Sequence, residues 1–147
     1  MILVVVSTGH FDPLISECNR LANRFDFFGQ IGNSTVIPTF SHVRTASQEK
    51  LADLMEAAEL VVSHAGTGML SMLYRLRKKT VVIPKQIRYG ESNDGQVELA
   101  QKWAELNLAI LCMNVERLAG AIEECRSIDF IFEARPSLGT HLSEIIG

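Results

Sequence analysis

The residues best suited to chemistry in this chain lie in three short segments rich in glycine, hydroxyl and amide side chains. The first of them, Ser-His-Ala-Gly-Thr-Gly at residues 63–68, places two glycines between an apolar run and an amphipathic stretch. Glycine lets the backbone approach a ligand closely, and the first turn of a following helix offers unpaired N–H groups to a phosphate. The same pattern also suits a simple tight turn, and the spacing alone does not separate the two interpretations.

The second segment, residues 7–10, is Ser-Thr-Gly-His and follows the first apolar run of the chain. Its hydroxyls and glycine can hydrogen-bond a phosphate or a sugar, and His10 can act as a base. A plain strand-to-helix turn is equally compatible with these residues.

The third segment, residues 84–96, is a long polar loop between an apolar run and an amphipathic stretch. Asn93, Asp94 and Gln96 suit the hydroxyls of a ribose or hexose, whereas Lys85 and Arg88 suit phosphate. Long loops inside compact domains are often functional, so the length and polarity together favour a binding site over a solvated loop.

Alternating apolar runs and amphipathic stretches predict the elements that position these segments. Strands are predicted at 2–6, 60–62, 80–83 and 108–111, with weaker candidates at 26–31 and 35–40. Helices are predicted between them, with Asp12, Ser47 and Asn114 as caps. The alternation predicts an α/β fold, a Rossmann-like three-layer sandwich with a mostly parallel sheet. Ligands bind beyond the carboxyl ends of such strands, so the three segments should meet at one edge of the sheet.

Composition excludes several classes of protein. The 147 residues are 47% hydrophobic and 21% charged, with a net charge of −3, which predicts one globular domain and argues against a nucleic-acid partner. The three cysteines are scattered, which favours a reducing cytoplasm over a disulfide scaffold. No metal is expected, since no Asp-x-Asp pair occurs and the histidines lack ligand spacing: His10, His42, His64 and His141.

A nicotinamide dinucleotide site is also disfavoured. Residues 66–71 approximate the glycine pattern of such sites, but they follow a late strand of the chain. Lys85 stands about 20 residues further on, where a ribose-binding acid is expected.

Three motifs together resemble the glycosyltransferase family 28 C-terminal domain, and most of all its stand-alone, single-domain branch. They are His-Ala-Gly-Thr-Gly at 64–68, Val-Ile-Pro at 82–84, and Asn-Asp-Gly-Gln at 93–96 followed by Glu-Leu-Ala at 98–100. The opening residues 6–12 are similar to the Val-Gly-Thr-x-x-Phe-Asp start of that branch. The branch holds the catalytic subunit of the two-part UDP-GlcNAc transferase of dolichol-linked oligosaccharide synthesis and the two-subunit bacterial exopolysaccharide transferases.

The resemblance implies the donor-binding half of a GT-B enzyme that uses a UDP-sugar and needs no metal or other cofactor. It also implies a membrane-anchored partner subunit that binds a polyprenyl-diphosphate-linked sugar acceptor. The chain is therefore expected to be a cytoplasmic hexosyltransferase subunit, active only with its partner, which would hold it at the inner face of the membrane.

The resemblance also assigns the site residues. Residues 7–10 and the helix start at Thr67 and Gly68 would approach the diphosphate, and the third segment would hold the donor sugar or ribose. The donor-binding set is Ser7, Thr8, Gly9, His64, Ala65, Gly66, Thr67, Gly68, Glu91, Asn93, Asp94 and Gln96. His10 is the local candidate for the catalytic base.

The chain departs from the family pattern at three positions. Met72 stands where the family usually carries the Glu or Asp that grips the ribose, Gly95 replaces a His, and Ser7 replaces a Gly. Glu91 is the neighbour that could take over the lost carboxylate. The loss keeps an alternative function open, that of a non-catalytic nucleotide-binding regulatory or scaffold subunit.

The last residues carry one apolar stripe at helical spacing. Leu138, Leu142, Ile145 and Ile146 fall on one face of a helix over 137–147. This stripe suits packing on the chain's own sheet or docking on the membrane-anchored partner. The whole chain, 1–147, is thus expected to be one donor-binding domain with a C-terminal docking helix.

Overall fold

The computed structural model describes residues 1–91 and 93–130, and these form an alternating series of strands and helices. The strands are β1 (Ile2–Val5), β2 (Phe27–Gln30), β3 (His42–Val43), β4 (Leu60–Ser63), β5 (Thr80–Val82) and β6 (Ile110–Leu111). The helices are α1 (Asp12–Arg20), α2 (Gln48–Ala57), α3 (Thr67–Arg75), α4 (Gly95–Glu105) and α5 (Leu118–Ser127). Short 3-10 helices span Ile87–Tyr89 and Val115–Arg117.

The strands form one parallel sheet in the order β3-β2-β1-β4-β5-β6. Val5, at the end of β1, lies opposite Gln30 at the end of β2 and Ser63 at the end of β4. This register brings the carboxyl ends of the central strands to one edge of the sheet, so the loops that follow them are neighbours.

Side chains of the central strands alternate between two apolar cores. Ile2 and Val4 of β1 pack in a core with α1 and α5, whereas Leu3 and Val5 pack in a second core with α2, α3 and α4. Burial of both faces requires the continuous apolar runs seen in the sequence. The three-layer α/β sandwich is therefore confirmed.

The weak strand predicted at 35–40 is wrong. Its backbone bonds to side chains of α1 and not to a neighbouring strand: the Asp12 carboxylate accepts the N–H groups of Thr35 and Val36. Asn19 likewise accepts from the N–H of Thr39. The third strand of this half of the sheet comes slightly later, at His42–Val43.

One of the three predicted caps is confirmed. The Ser47 hydroxyl accepts the Lys50 N–H at 3.1 Å at the start of α2. Asp12 is instead the first residue of α1, and Asn114 precedes a 3-10 helix without capping it by its side chain. The predicted docking helix at 137–147 lies outside the described residues, and no helix within the described part is long and apolar enough to cross a membrane.

Candidate functional site

The three polar segments lie side by side beyond the carboxyl ends of β1, β4 and β5. The Gln96 Oε1 atom accepts hydrogen bonds from the Ala65 N–H at 3.1 Å and the Lys85 N–H at 3.0 Å, which joins the second strand-end loop to the third. The Lys85 ammonium reaches the first loop, because a Cβ built on Gly9 would lie 2.8 Å from its Nζ atom. The structure thus gathers the segments that the sequence pattern singled out.

The first segment is held in an unusual backbone conformation from the β2 side. Ser7 has a φ of 69°, and the Gln30 side chain clamps it by accepting its N–H at 2.7 Å and donating to its carbonyl at 2.9 Å. Gly32 leaves room for the segment, since a Cβ there would lie 2.3 Å from the Gly9 oxygen. The Asn33 N–H donates to that same oxygen at 2.8 Å.

Sequence reasoning missed the residues of this clamp. Gln30 is a buried amide at the end of an otherwise apolar strand, and Gly32 and Asn33 follow it after one residue. A polar side chain that interrupts an apolar run at a strand end was the available signal, because burying an amide requires partners. The clamp fixes the conformation of the first segment, and other groups would contact a ligand.

The second segment ends at the start of α3, which no side chain of the described residues caps. Gly66 is the N-cap residue, and Thr67 and Gly68 are exposed. A Cβ built on Gly68 would meet nothing within 4 Å, so open space lies over this first turn. An uncapped first turn leaves N–H groups and the positive end of the helix dipole available to an anion.

His64 lies buried beside this helix start. Its Nδ1 atom is 3.2 Å from the Gln96 amide nitrogen, and its Nε2 atom is buried without a hydrogen-bond partner in the described part of the chain. Burial, together with repulsion from Lys85, lowers the pKa of His64 to about 4, against the opposing hydrogen bond from Gln96. His64 is therefore neutral at physiological pH.

The buried His64 should make the domain sensitive to mild acid. Between pH 6.5 and about 4 the His64 imidazole is protonated in the unfolded chain but not in the folded one. The free energy of unfolding therefore has its full value above pH 6.5 and decreases below it. Over the whole interval, the free energy of unfolding decreases by about 3 kcal/mol. Urea unfolding from pH 7 to 4.5 should show a steeper loss for the wild type than for His64→Gln. The exposed His42→Gln variant should keep the wild-type slope; equal slopes for all three proteins would contradict the assignment.

Lys85 places an ammonium group between the first and third segments. The residue is only 6% exposed, and its Nζ atom has no hydrogen bond or ion pair to the described residues. Burial lowers the pKa of Lys85, while the nearby Glu91 carboxylate opposes that shift. An ammonium group on a mostly buried side chain, without a direct partner in the described part of the chain, favours an anionic ligand.

The other polar side chains of the third segment mostly bind the protein itself. The Asp94 carboxylate accepts the Ile87 N–H at 2.7 Å, and the Asn93 side chain accepts the Gly95 N–H at 2.8 Å. Arg88 donates to Met113 and Asn114 across the loop. Arg88, predicted to suit phosphate, is therefore committed to holding the loop.

The first segment keeps two exposed side chains at this edge, Thr8 and His10. His10 lies near the third segment, since a Cβ built on Gly90 would be 3.5 Å from its Cε1 atom. It also acts on the carboxyl group of Asp12. Burial raises the pKa of that carboxyl, but hydrogen bonds from Val36 and Thr35 and the charge of His10 outweigh burial, so the pKa is lowered. His10 is thus placed at the rim with an acidic neighbour.

Met72 lines a cavity whose lining residues do not include Glu91. This cavity of about 360 Å³ lies between α2 and α3 and is also lined by Gln48, Glu49 and Arg75. Glu91 instead lies beside Lys85 in the third segment. The carboxylate that shares a cavity with Met72 is therefore that of Glu49, which sequence reasoning missed because the two residues lie on different helices.

These features together form a candidate anion site. The free N–H groups of α3, the Lys85 ammonium and the neutral His64 ring converge on one edge of the sheet. Such a set can bind a diphosphate through backbone dipoles and one positive charge. Among the described residues, no group of three or more His, Cys, Asp or Glu side chains is placed to hold a metal ion.

A family model described as "Glycosyltransferase family 28 C-terminal domain" matches residues 14–133. The chain belongs to this family. The match covers most of the sheet and both the second and the third segments, so the resemblance read from the motifs is confirmed. A search of curated proteins found no match.

Solved structures share the fold at low sequence identity. The glycotransferase of kitacinnamycin aligns with a TM-score of 0.64 at 21% identity, over 98% of this chain and 37% of that one. The glycosyltransferase SnogD from Streptomyces nogalater gives 0.60 at 19% identity, over 98% and 39%. The spinosyn forosaminyltransferase SpnP gives 0.62 at 12% identity, over 97% and 37%. The chain thus spans less than two fifths of each of these structures.

Proposed function

We propose that this chain is the catalytic, donor-binding subunit of a two-subunit glycosyltransferase. It would take a hexose from a UDP-sugar and transfer it to a polyprenyl-diphosphate-linked acceptor in polysaccharide biosynthesis. The acceptor would be held by a membrane-anchored partner subunit, which would keep this chain at the cytoplasmic face of the membrane. Membership of the family supports the sugar-transfer class.

One observation carries the proposal: the start of α3, uncapped among the described residues, lies next to the buried Nε2 atom of His64, which has no hydrogen-bond partner in that part of the chain. The Lys85 side chain, itself mostly buried, brings an ammonium group to the same edge of the sheet. Leaving a buried donor unsatisfied costs about 1–3 kcal/mol, so its retention beside an ammonium group favours a ligand with several acceptor oxygens. The diphosphate of a nucleotide sugar has that chemistry.

The other parts of the donor would lie on either side of the diphosphate. The cavity between α2 and α3 has apolar walls in Met72 and Leu76 and a carboxylate in Glu49, which suits a nucleoside. The exposed Asn93 and Asp94 at the opposite side would face the donor sugar. In this arrangement Glu49, and not Glu91, supplies the carboxylate that Met72 lacks.

The proposed reaction is a displacement at the anomeric carbon. The acceptor hydroxyl oxygen bonds to that carbon, the bond to the β-phosphate oxygen breaks, and UDP leaves with the electron pair. The α3 N–H groups and Lys85 would stabilise the charge that grows on UDP, a role for preorganised donors that needs no divalent cation. The acceptor proton goes to a base, for which His10 is the local candidate. EDTA should leave turnover unchanged.

Replacing His10 by alanine tests this role. With the partner present, the rate should fall by ~10²–10⁴-fold while UDP binding stays within a few-fold, because a base acts on the acceptor and not on the nucleotide. The exposed His42→Ala variant is the matched control. An unchanged rate in His10→Ala would move the base to the partner subunit.

Glu49 offers a test of the nucleoside position. If its carboxylate binds the ribose, Glu49→Gln should weaken UDP binding by roughly 10-fold or more, the value of one charge-assisted hydrogen bond. The effect should vanish when 2′-deoxy-UDP replaces UDP in calorimetry. Asp53→Asn on the same helix, exposed and outside the cavity, should bind both nucleotides as the wild type does. A loss that is equal for UDP and 2′-deoxy-UDP would contradict the contact.

The alternative function is a nucleotide-binding regulatory or scaffold subunit that has lost transfer. Met72 favours it, since an apolar side chain stands where the family usually carries an acid. Co-expression with the adjacent reading frame, followed by a screen of UDP- and GDP-sugars on a lipid-linked acceptor, separates the two. Turnover supports the enzyme; nucleotide binding without turnover in the assembled pair supports the alternative. No thermal shift with any UDP- or GDP-compound at millimolar concentration would remove both.

A further inference from the structure

The side chain of Gln96 bonds to three groups of the protein, two through its amide oxygen and one through its amide nitrogen. The atom that contacts the Ala65 and Lys85 N–H groups must be the amide oxygen, because both partners are donors. The amide nitrogen is then the atom 3.2 Å from His64 Nδ1. The assignment of oxygen and nitrogen thus follows from the partners themselves.

This arrangement selects one form of the His64 ring. An amide nitrogen can only donate, so Nδ1 must accept and cannot carry a proton in the neutral ring. The proton of the neutral imidazole is then on Nε2, the atom that is buried without a partner among the described residues. The ring lies against the N-cap of α3, since a Cβ built on Gly66 would be 2.8 Å from Nε2.

We infer that Gln96 is a positioning residue which fixes His64 as the Nε2–H tautomer at the start of α3. This role is additional to the donor contact that the resemblance implies for Gln96. The identity of the anion that His64 meets rests on the proposed function, whereas the tautomer does not.

The surroundings of His64 are compatible with a neutral donor. Lys85 is the charged group that acts on the ring, and its ammonium disfavours an imidazolium. Glu91 acts on Lys85 from the same loop. A neutral N–H group next to an ammonium supplies a second donor for one anion without adding a second charge.

Nitrogen-15 NMR of the free protein tests the tautomer directly. At pH 7.5 the His64 ring should show a protonated Nε2 and a bare Nδ1. Gln96→Glu should move the proton to Nδ1 or charge the ring, because a carboxylate oxygen then faces Nδ1. Gln101→Glu, an exposed change on the same helix, should leave the wild-type pattern. A protonated Nδ1 in the wild type would overturn the inference without any variant.

Nucleotide binding separates positioning from sugar contact. Gln96→Met, which adds no charge, should weaken UDP as well as UDP-glucose, roughly 10-fold, because the change acts through His64 at the diphosphate. A loss confined to UDP-glucose would make Gln96 a sugar ligand alone and overturn the inference. In Gln96→Glu the loss should shrink as the pH falls and Nε2 regains its proton; a loss independent of pH would mean a merely structural effect.

The same measurements distinguish a failure of the tautomer assignment from a failure of the proposed function. If the wild type has a protonated Nε2 but binds neither UDP nor UDP-glucose, the tautomer assignment stands and the proposed function fails. If both nucleotides bind and Nδ1 carries the proton, the proposed function stands and the positioning role of Gln96 fails.

Discussion

Replacing Gly68 by valine is expected to abolish nucleotide binding and leave the domain folded. The valine side chain would project from the first turn of α3 into open space, since a Cβ at Gly68 meets nothing within 4 Å. That space is where a phosphate must come to reach the free N–H groups. Wild-type protein with UDP at 100 times its dissociation constant should gain ~2.7 kcal/mol of stability, and Gly68→Val should gain none.

Gly120 provides the matched control for this substitution. It also lies in the first turn of a helix, α5, and a Cβ there likewise meets nothing within 4 Å. Gly120→Val should keep the full UDP-dependent thermal shift. Gly66→Ala is a contrasting case, because its Cβ would lie 2.3 Å from His64 Cε1 and must disturb the ring. Normal UDP binding by folded Gly68→Val would exclude α3 as the phosphate site.

Replacing Lys85 by methionine is expected to weaken UDP binding by roughly 10–100-fold, the value of a hydrogen bond to a charged group. The same change should not destabilise the free domain, and it should raise the melting temperature. A lowered pKa means that the folded environment disfavours the charged form, even with Glu91 nearby. That cost is present at neutral pH and fades as the pH rises towards 10.5, where the unfolded chain also loses its proton.

Lys78 is the matched control for Lys85. Burial lowers the pKa of Lys78 too, but its Nζ atom donates to the Ala58 carbonyl at 2.6 Å. Lys78→Met should bind UDP normally, and because it leaves the Ala58 carbonyl without this donor it should not raise the melting temperature as Lys85→Met does. Calorimetry with UDP and thermal unfolding of the free proteins give the two quantities. A Lys85→Met protein with unchanged affinity would show that the ammonium does not meet the diphosphate.

The amino-acid sequence determined the architecture of this domain because its signals are local. Continuous β-branched and apolar runs can only be strands buried on both faces, and these became β1, β4 and β5. Glycine and polar residues after each run then marked the loops. Since parallel strands end at a common edge, the meeting of the three segments also followed from the pattern.

Only the tertiary structure decided which polar side chains remain available to a ligand. Gln96 and Arg88 have the chemistry of ligand-binding residues, yet the amide oxygen of Gln96 and the guanidinium of Arg88 are used to hold loops. Lys85, in contrast, is mostly buried, and its ammonium group has no direct partner among residues 1–91 and 93–130. A sequence shows what a side chain can bind, but the partners it binds come from distant elements, and buried polar groups are satisfied across those distances.

The tertiary structure also decided where a segment of ambiguous pattern would go. Residues 35–40 carry the β-branched residues of a strand, but Asp12 and Asn19 of α1 take their backbone N–H groups and the sheet does not. Met72 and Glu49 lie on two different helices and line the same cavity, and no local sequence pattern predicts that proximity either. In each case the deciding contact joins residues 20 or more positions apart, beyond the reach of any local pattern, because packing of the helices on the sheet creates it.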